Sequence, residues 1–488
     1  AAVPLSLGAG VLDDVVDSVW SHAVASGVAT LRLPPAGRTV DVVAALCRRA
    51  AATTLVVVPL SRQVARLASE LGPGAARLPD EWARVRAGSC AVVVGSRSAV
   101  VAPIPDGQLR AIVVVAENDE ALQETRSPTW HAREVAIERA RRAGVPCVLV
   151  SAAPSVEAWL AGPVVSLPER EQRGGWPWVD VVDLREADPA KGRFPDEAVR
   201  ALRGPGRAAV VAQLTGRLRA LVCRSCGEVA RCESCHSAVG LDSDRLTCSR
   251  CGSSRGAFCA TCGSVALRPW RVGVSRLAEE LSKVLGEPIG EFVAGQTNVP
   301  TNRVVVGTEA LLNGAWRNVG RVVLLDFDHV LLAPTARAGE RAVGIVARAT
   351  RLVGGRSRAS GRVTVMTRAP DHPVVAAVVA GDVGDLAAAE ADSRAAFGLA
   401  PARAVALLSG PGAPEYVAAL RAALNDDAGV SDGAALDGPL DPRAVEISDR
   451  GDGTHVVTAA DSTTLANSLR LVGRPAQRLR IEVDPYWL

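Results

Sequence analysis

Eight of the eleven cysteines fall between positions 223 and 262, all as C-x-x-C pairs: Cys223/Cys226, Cys232/Cys235, Cys248/Cys251 and Cys259/Cys262. Two intervening residues let both thiolates of a tight turn reach one cation. A glycine directly after the second cysteine, as at Gly227, Gly252 and Gly263, suits that turn. Two such knuckles complete a tetrahedral four-cysteine zinc site, so four make two. With four thiolates each, neither site keeps a position for substrate, and both zinc ions are structural. The knuckles can pair sequentially, crosswise or nested. Five residues separate the first two knuckles, which is short for facing one another; twelve separate the middle two, close to ribbon spacing. Spacing therefore favours an inner site of Cys232, Cys235, Cys248 and Cys251 and an outer site of Cys223, Cys226, Cys259 and Cys262. His236 adjoins a ligand, but the inner set is complete without it.

A second stretch raises a different chemistry. Ala36-Gly37-Arg38-Thr39 differs from the end of a phosphate loop, G-x-x-x-x-G-K-[ST], at its lysine. In such a loop glycines let the backbone approach phosphate, Lys supplies charge and Ser or Thr holds Mg²⁺. Here the first glycine position is Arg32, and Pro34 and Pro35 remove two backbone donors. Arg is bulkier and planar, a poor substitute in that cradle. The chain has only two lysines, Lys191 and Lys283, and neither lies in a G-K-[ST]. The strand where an ATPase carries its Mg²⁺-directed Asp reads Ala116-Glu117. The catalytic apparatus of an ATPase is thus missing two of its main parts.

The elements that position these residues are those of an α/β protein. Between 53–60, 90–96, 110–117 and 146–152 the chain is apolar throughout and rich in Val, which predicts strands buried on both faces of a parallel sheet. Helical segments at 62–72 and 131–144 alternate with them; the latter closes on Arg141, Arg142 and Gly144, a helix-stop signal. The Gly/Pro/Trp-rich passage 168–180 reads as a linker. A second α/β unit opens at 208–214, is interrupted by the cysteines, and resumes at 272–286, 302–312, 320–328 and 361–367. A helix at 413–426, an acidic Gly-rich loop and a closing strand predict a small α+β domain. The expected division is 1–165, lobe one; 166–220, linker and start of lobe two; 221–268, zinc insert; 269–394, rest of lobe two; and 395–488, C-terminal domain.

Composition bounds the function classes. The 488 residues are 48% hydrophobic and 22% charged, those of a globular chain with several cores. No apolar run is long enough to span a bilayer, and no basic segment precedes the apolar N-terminus, so neither membrane insertion nor a secretory signal is expected. Clustered cysteines in such a chain favour metal over disulfides. Cys47, Cys90 and Cys147 stand alone in apolar surroundings and read as core thiols. Net charge is +3, but Arg219–Arg271 carries eight Arg against four acidic residues, a basic stretch suited to phosphate contact. His131 and Glu134, one turn apart, read as a surface pair. Asp326 and Asp328 end a buried strand and read as loop-ordering rather than catalytic.

These motifs together resemble the bacterial replication-restart family PriA, superfamily-two helicases with an eight-cysteine insert in the second RecA-like lobe. The cysteine block is the most specific match. "VVVGSRSAV" (92–100), "WHAREVAI" (130–137), "SAAPSVEAW" (151–159), "VVVGTEALLNG" (304–314), "LLDFD" (324–328), "GER" (339–341) and "IEVDP" (481–485) are similar to further family segments. The resemblance implies two RecA-like doubly wound lobes of helicase type, a double zinc-ribbon insert paired in the nested manner, and the small C-terminal domain. It implies that Gly37, Arg38, Thr39, Glu117 and Arg356 are remnants of an ATP site, whose acidic box corresponds to Ala116, Glu117, Asn118 and Asp119. The family's Q-x-x-G-R-x-G-R segment corresponds to Ala349 through Arg356, with Ala349 and Val353 at the first Gln and first Arg. The family also has an N-terminal domain for DNA 3′ ends and a winged-helix segment, of which little or nothing precedes Ala1. The Arg/Ala-rich composition fits a high-GC branch that has lost helicase activity in this way.

The function expected from the resemblance is a cytoplasmic, nucleoid-associated, monomeric primosome scaffold. It would bind replication forks and single-/double-strand DNA junctions and help reload the replisome without unwinding DNA itself. Its partners would be primosome or replisome proteins and single-stranded DNA-binding protein. The alternatives are an ATP-dependent 3′–5′ helicase with altered motifs, and a zinc-ribbon interaction module on an unrelated α/β enzyme.

Overall fold

The computed structural model describes residues 7–185, 193–212, 221–226, 228, 230–233, 239–242, 245–247, 253–269, 274–293, 296, 298–313, 318–333, 335–356, 361–425, 441–451 and 453–485. A helix, Ala9–Ser26, turns at Gly27 (φ +83°) into the first strand. Nine strands belong to the first lobe: β1 (Val28–Arg32), β2 (Thr53–Val57), β3 (Ala75–Arg77), β4 (Val92–Gly95), β5 (Leu109–Val115), β6 (Gln123–Glu124), β7 (Trp130–His131), β8 (Cys147–Ser151) and β9 (Val164–Ser166). Seven form one parallel sheet in the order β3-β4-β2-β5-β8-β1-β9. β6 and β7 make a separate short hairpin.

The apolar runs of the sequence have their reason here. Along β2, Val56 joins the core on one face of the sheet with Val94, Val113 and Val148. Its neighbours Leu55 and Val57 join the core on the other face with Val93, Ile112, Val114 and Leu149. Alternate residues point to opposite faces, so a strand covered on both sides has no polar phase. Cys90 and Cys147 are buried in the second of these cores, and Cys47 packs against the first. Burial pushes the Cys147 thiol up to about 12 and Cys47 to about 11, so both are unreactive near neutrality.

The second lobe has β10 (Trp178–Asp183) and β11 (Arg207–Ala212) before the insert. The insert contributes β12 (Leu221–Cys223), β13 (Gly240–Asp242), β14 (Arg245–Thr247), β15 (Ser254–Gly256) and β16 (Leu267–Pro269). After it come β17 (Gly290–Phe292), β18 (Val304–Gly307), β19 (Val319–Leu325) and β20 (Arg362–Thr367). Six strands form a parallel sheet, β10-β20-β19-β11-β18-β17. In the insert β12 pairs antiparallel with β16, closing its base, while β13, β14 and β15 form an antiparallel meander. Among the described residues the insert's own core is small: Leu221, Ala230, Cys232, Val239 and Leu246.

The passage 168–180 is not a linker. Glu169–Gly174 is helical, Trp176 is fully buried, and β10 pairs in parallel with β20 as the edge of the second sheet. Gly175 and Pro177 lie in the turn between helix and strand, and Trp176 supplies the packing.

The C-terminal strands are β21 (Ala404–Ser409), β22 (Val445–Asp449), β23 (His455–Ala459) and β24 (Arg480–Val483). With helices Ala413–Asn425 and Ser462–Arg470 they make a βαββαβ unit whose antiparallel sheet runs β22-β23-β21-β24. Ala406, Leu408, Val457, Ala459 and Ile481 pack with Tyr416, Val417, Leu420 and Leu465 to form its core. The acidic Gly-rich loop lies outside the described residues.

Packing divides the chain into two compact units. One joins 7–33, 38–168 and 384–488; the other joins 34–37 with 169–383. The helix Leu386–Ala396, read from sequence as the end of lobe two, packs with the first lobe's unit instead.

Candidate metal centre and nucleotide-site positions

The outer cysteines are brought together by two turns of the same construction. The Cys223 N–H donates to the Glu228 carbonyl at 2.9 Å, and the Cys259 N–H to the Ser264 carbonyl at 2.8 Å, each five residues ahead. Gly263 takes φ +72°, the conformation anticipated after a second cysteine. The Sγ atoms of Cys223 and Cys262 are 3.5 Å apart, those of Cys226 and Cys259 3.6 Å, and all four lie within 4.8 Å of one another. Four thiolates at about 2.3 Å from a tetrahedral cation stand ~3.8 Å apart, so the set fits zinc.

Backbone amides prepare it. The Cys226 N–H draws the Cys223 thiol down to about 6, and the Cys262 N–H lowers Cys259. Against the lowering Glu228 and Ser264 N–H groups, Cys226 is raised by loss of solvent and by the neighbouring sulfurs, and Cys262 chiefly by Cys223. A cation would displace their protons, and its binding would fold the module. Of the inner set, Cys232 is buried in the insert's core. Cys235, Cys248 and Cys251, with His236, Gly227 and Gly252, lie outside the described residues.

The positions that the resemblance assigns to an ATP site are built differently. Gly37 donates its N–H to the Pro34 carbonyl at 2.8 Å and Ala36 to Gly175 at 3.1 Å, so the two amides directly after the prolines are already bonded. Arg38 precedes the helix Thr39–Ala50, and its Nε meets Asp41 Oδ2 of that helix at 3.1 Å.

The acidic-box positions are engaged one by one. Ala116 sits at φ +49° in the turn after β5. Glu117 is 0% exposed. Its Oε1 accepts the Ser155 N–H at 2.9 Å; its Oε2 accepts the Ser155 hydroxyl at 2.8 Å and Arg133 Nη1 at 3.1 Å. Asn118 Oδ1 accepts the Ser151 hydroxyl at 3.2 Å, and Asp119 accepts the Ala121 N–H at 3.0 Å to start a short 3-10 turn.

Sequence reasoning does not single out Arg133; it sees only the first turn of a helix. Its one signal is its place in the H-A-R segment. His131 is not a surface residue: it is buried and caps that helix, Nδ1 accepting the Arg133 N–H at 3.2 Å.

In the second lobe Arg356 lies over the Trp178 ring at 4.9 Å and donates from Nη2 to the Val379 carbonyl at 2.6 Å. Asp328 orders a loop as anticipated, accepting the Thr367 hydroxyl and, at 2.8 Å, the Arg368 N–H. Among the described residues no helix is long and apolar enough to cross a membrane.

No protein-family model matches the chain. Curated relatives do. The "Probable replication restart protein PriA" of Mycobacterium leprae is 32% identical over 512 aligned positions, covering 95% of this chain and 74% of the relative. That of Mycobacterium tuberculosis is 32% identical over 416, covering 80% and 61%. The "Replication restart protein PriA" of Treponema pallidum is 30% identical over 379, covering 71% and 56%. The chain thus spans 61% of the length of the mycobacterial relatives first matched. A structure of S. cerevisiae Dbp5 bound to RNA and ADP BeF3 aligns at TM-score 0.38 and 11% identity over 78% of this chain, a likeness that carries no argument. Two parallel α/β sheets, a cysteine insert within the second, and this identity over most of the chain converge: the chain belongs to the replication restart protein PriA family.

Proposed function

We propose that this chain is a replication-restart scaffold. It binds DNA at stalled or branched forks and promotes reloading of the replisome without hydrolysing ATP. Two structural zinc ions hold its insert, one on Cys223, Cys226, Cys259 and Cys262 and one on Cys232, Cys235, Cys248 and Cys251. Its partners are fork DNA, primosome or replisome proteins and single-stranded DNA-binding protein, met as a monomer in the cytoplasm at the nucleoid. The role is that for which the relatives are named.

The observation that carries the loss of hydrolysis is Glu117. A carboxylate that orients a water or a metal must face a ligand; this one is sealed from solvent against Arg133 and Ser155. Alanine at 116 removes the carboxylate from the position that would hold Mg²⁺. Arginine at 38, bonded to its own helix, replaces the lysine that would meet phosphate.

Binding to a labelled fork and to plain duplex, measured across a salt series with and without Mg·ATP, tests the reading. The fork should bind more tightly, weaken as salt screens phosphate contacts, and ignore Mg·ATP. Equal binding to both DNAs would count against it.

A further inference from the structure

The buried charges around Glu117 continue beyond the acidic box. Arg133 meets Glu117 at 3.1 Å and Glu157 at 3.4 Å; Glu157 meets Arg394 Nη1 at 3.5 Å; Arg394 Nε meets Glu390 at 2.9 Å. Arg133 and Arg394 are each 1% exposed, Glu117 0% and Glu157 8%. Glu117, Arg133, Glu157 and Arg394 form the buried part of this chain of ion pairs, and the more exposed Glu134 and Glu390 each pair with one of its arginines. It runs from the end of β5 to the helix Leu386–Ala396, which leads into the C-terminal domain.

The segment that supplies Arg133 also grips that domain directly. Thr129 donates its N–H to the Ile481 carbonyl at 3.3 Å and its hydroxyl to the Val483 carbonyl at 3.1 Å, and Ile481 donates its N–H to Ser127 Oγ at 3.0 Å. β24 is an edge strand, and these bonds occupy part of its open side. Residues 127–133 thus reach three places: β24 at one end, Glu117 and, through Glu157, the helix Leu386–Ala396 at the other.

We propose that residues 127–133 are a brace that fixes the C-terminal domain on the first lobe, with Glu117 as its buried counter-ion. A carboxylate standing where a nucleotide's metal would be read has become the anchor of a domain contact. The C-terminal domain is then held in one position in the nucleotide-free protein. This rests on the scaffold reading only for its use: a fixed domain presents one surface to DNA without a nucleotide cycle.

Ion pairs that share members respond as a set, because a charge left without its partner draws on the next one. Arg133 Nε also meets the half-exposed Glu134 at 2.8 Å, so removing Glu117 leaves Glu157 as its buried partner and shifts Glu157 between Arg133 and Arg394.

Hydrogen exchange on the full chain without nucleotide tests this, comparing wild type with Glu117→Gln, Arg394→Met, Arg394→Lys and the Glu117→Gln/Arg394→Met pair. Arg394→Met should speed exchange across 386–396 by about tenfold while β2 and β5 stay protected, which shows that the lobe remains folded. Arg394→Lys should recover part of the protection. Glu117→Gln, which does not touch the helix, should speed exchange there too, and the pair should fall short of the sum. A helix indifferent to Glu117→Gln, or strictly additive effects, would overturn the brace and leave the scaffold reading intact. Conversely, ATP turnover by the wild type would overturn the scaffold reading and leave the brace standing.

Discussion

The outer cysteine cluster and the acidic box began as comparable sites, each a short motif whose residue types define a ligand. The cluster keeps all four donors within 4.8 Å, while the box keeps a single buried glutamate paired with arginine. The difference follows from what each site supports. The described core of the insert is small, so with the proposed zinc bound its fold should depend on the cation, and losing one thiolate should unfold the module. The acidic box directly follows β5, the central strand of a seven-stranded sheet with large cores on both faces. Cores of that size do not rely on a ligand for their burial, so the positions a nucleotide site would use can serve as internal contacts.

Substitutions should therefore separate the two sites by size. The largest effect is expected at the cluster: Cys223→Ser should remove one zinc of two per chain, read by metal analysis, and unfold the insert, because the cation's binding energy is the module's folding energy. Next comes Glu117→Ala, which leaves Arg133 buried with one partner fewer and should lower stability by ~3–5 kcal/mol in denaturant unfolding of the first lobe. Arg356→Ala should cost about 1–2 kcal/mol by removing the contact with Trp178 and the bond to Val379. Smallest is Arg38→Ala. Its side chain and that of Asp41 are 47% and 42% exposed, and the change should fall within ~0.5 kcal/mol with fork binding unaltered. If Arg38→Ala exceeded Glu117→Ala in either readout, the loop rather than the box would be the working remnant.

Much of this was legible in the sequence because it is local. C-x-x-C spacing depends on short turns, and the Val-rich runs report burial on both faces of a strand. The H-A-R helix from Ala132 to Ala143 ends at Gly144 in the left-handed conformation that its stop signal implies. What stays hidden depends on distant partners. β10 is a strand only because β20 lies beside it, far along the chain, as the pairing of Trp178 with Arg362 shows. Arg133, Glu157 and Arg394 look like solvent-facing charges on separate helices, and nothing local to any of them announces the other two. The same holds for Leu386–Ala396, whose composition fits either lobe and whose place is set by the pairing of Arg394 with Glu157.

The proposed scaffold role requires a fold that keeps its architecture without its reaction. ATP turnover by the zinc-loaded protein, with and without saturating fork DNA, addresses it most directly. Turnover should stay at the background of a heat-inactivated sample in both conditions. DNA-stimulated turnover that disappears in Arg38→Ala would contradict the claim and establish an ATP-dependent helicase with altered motifs.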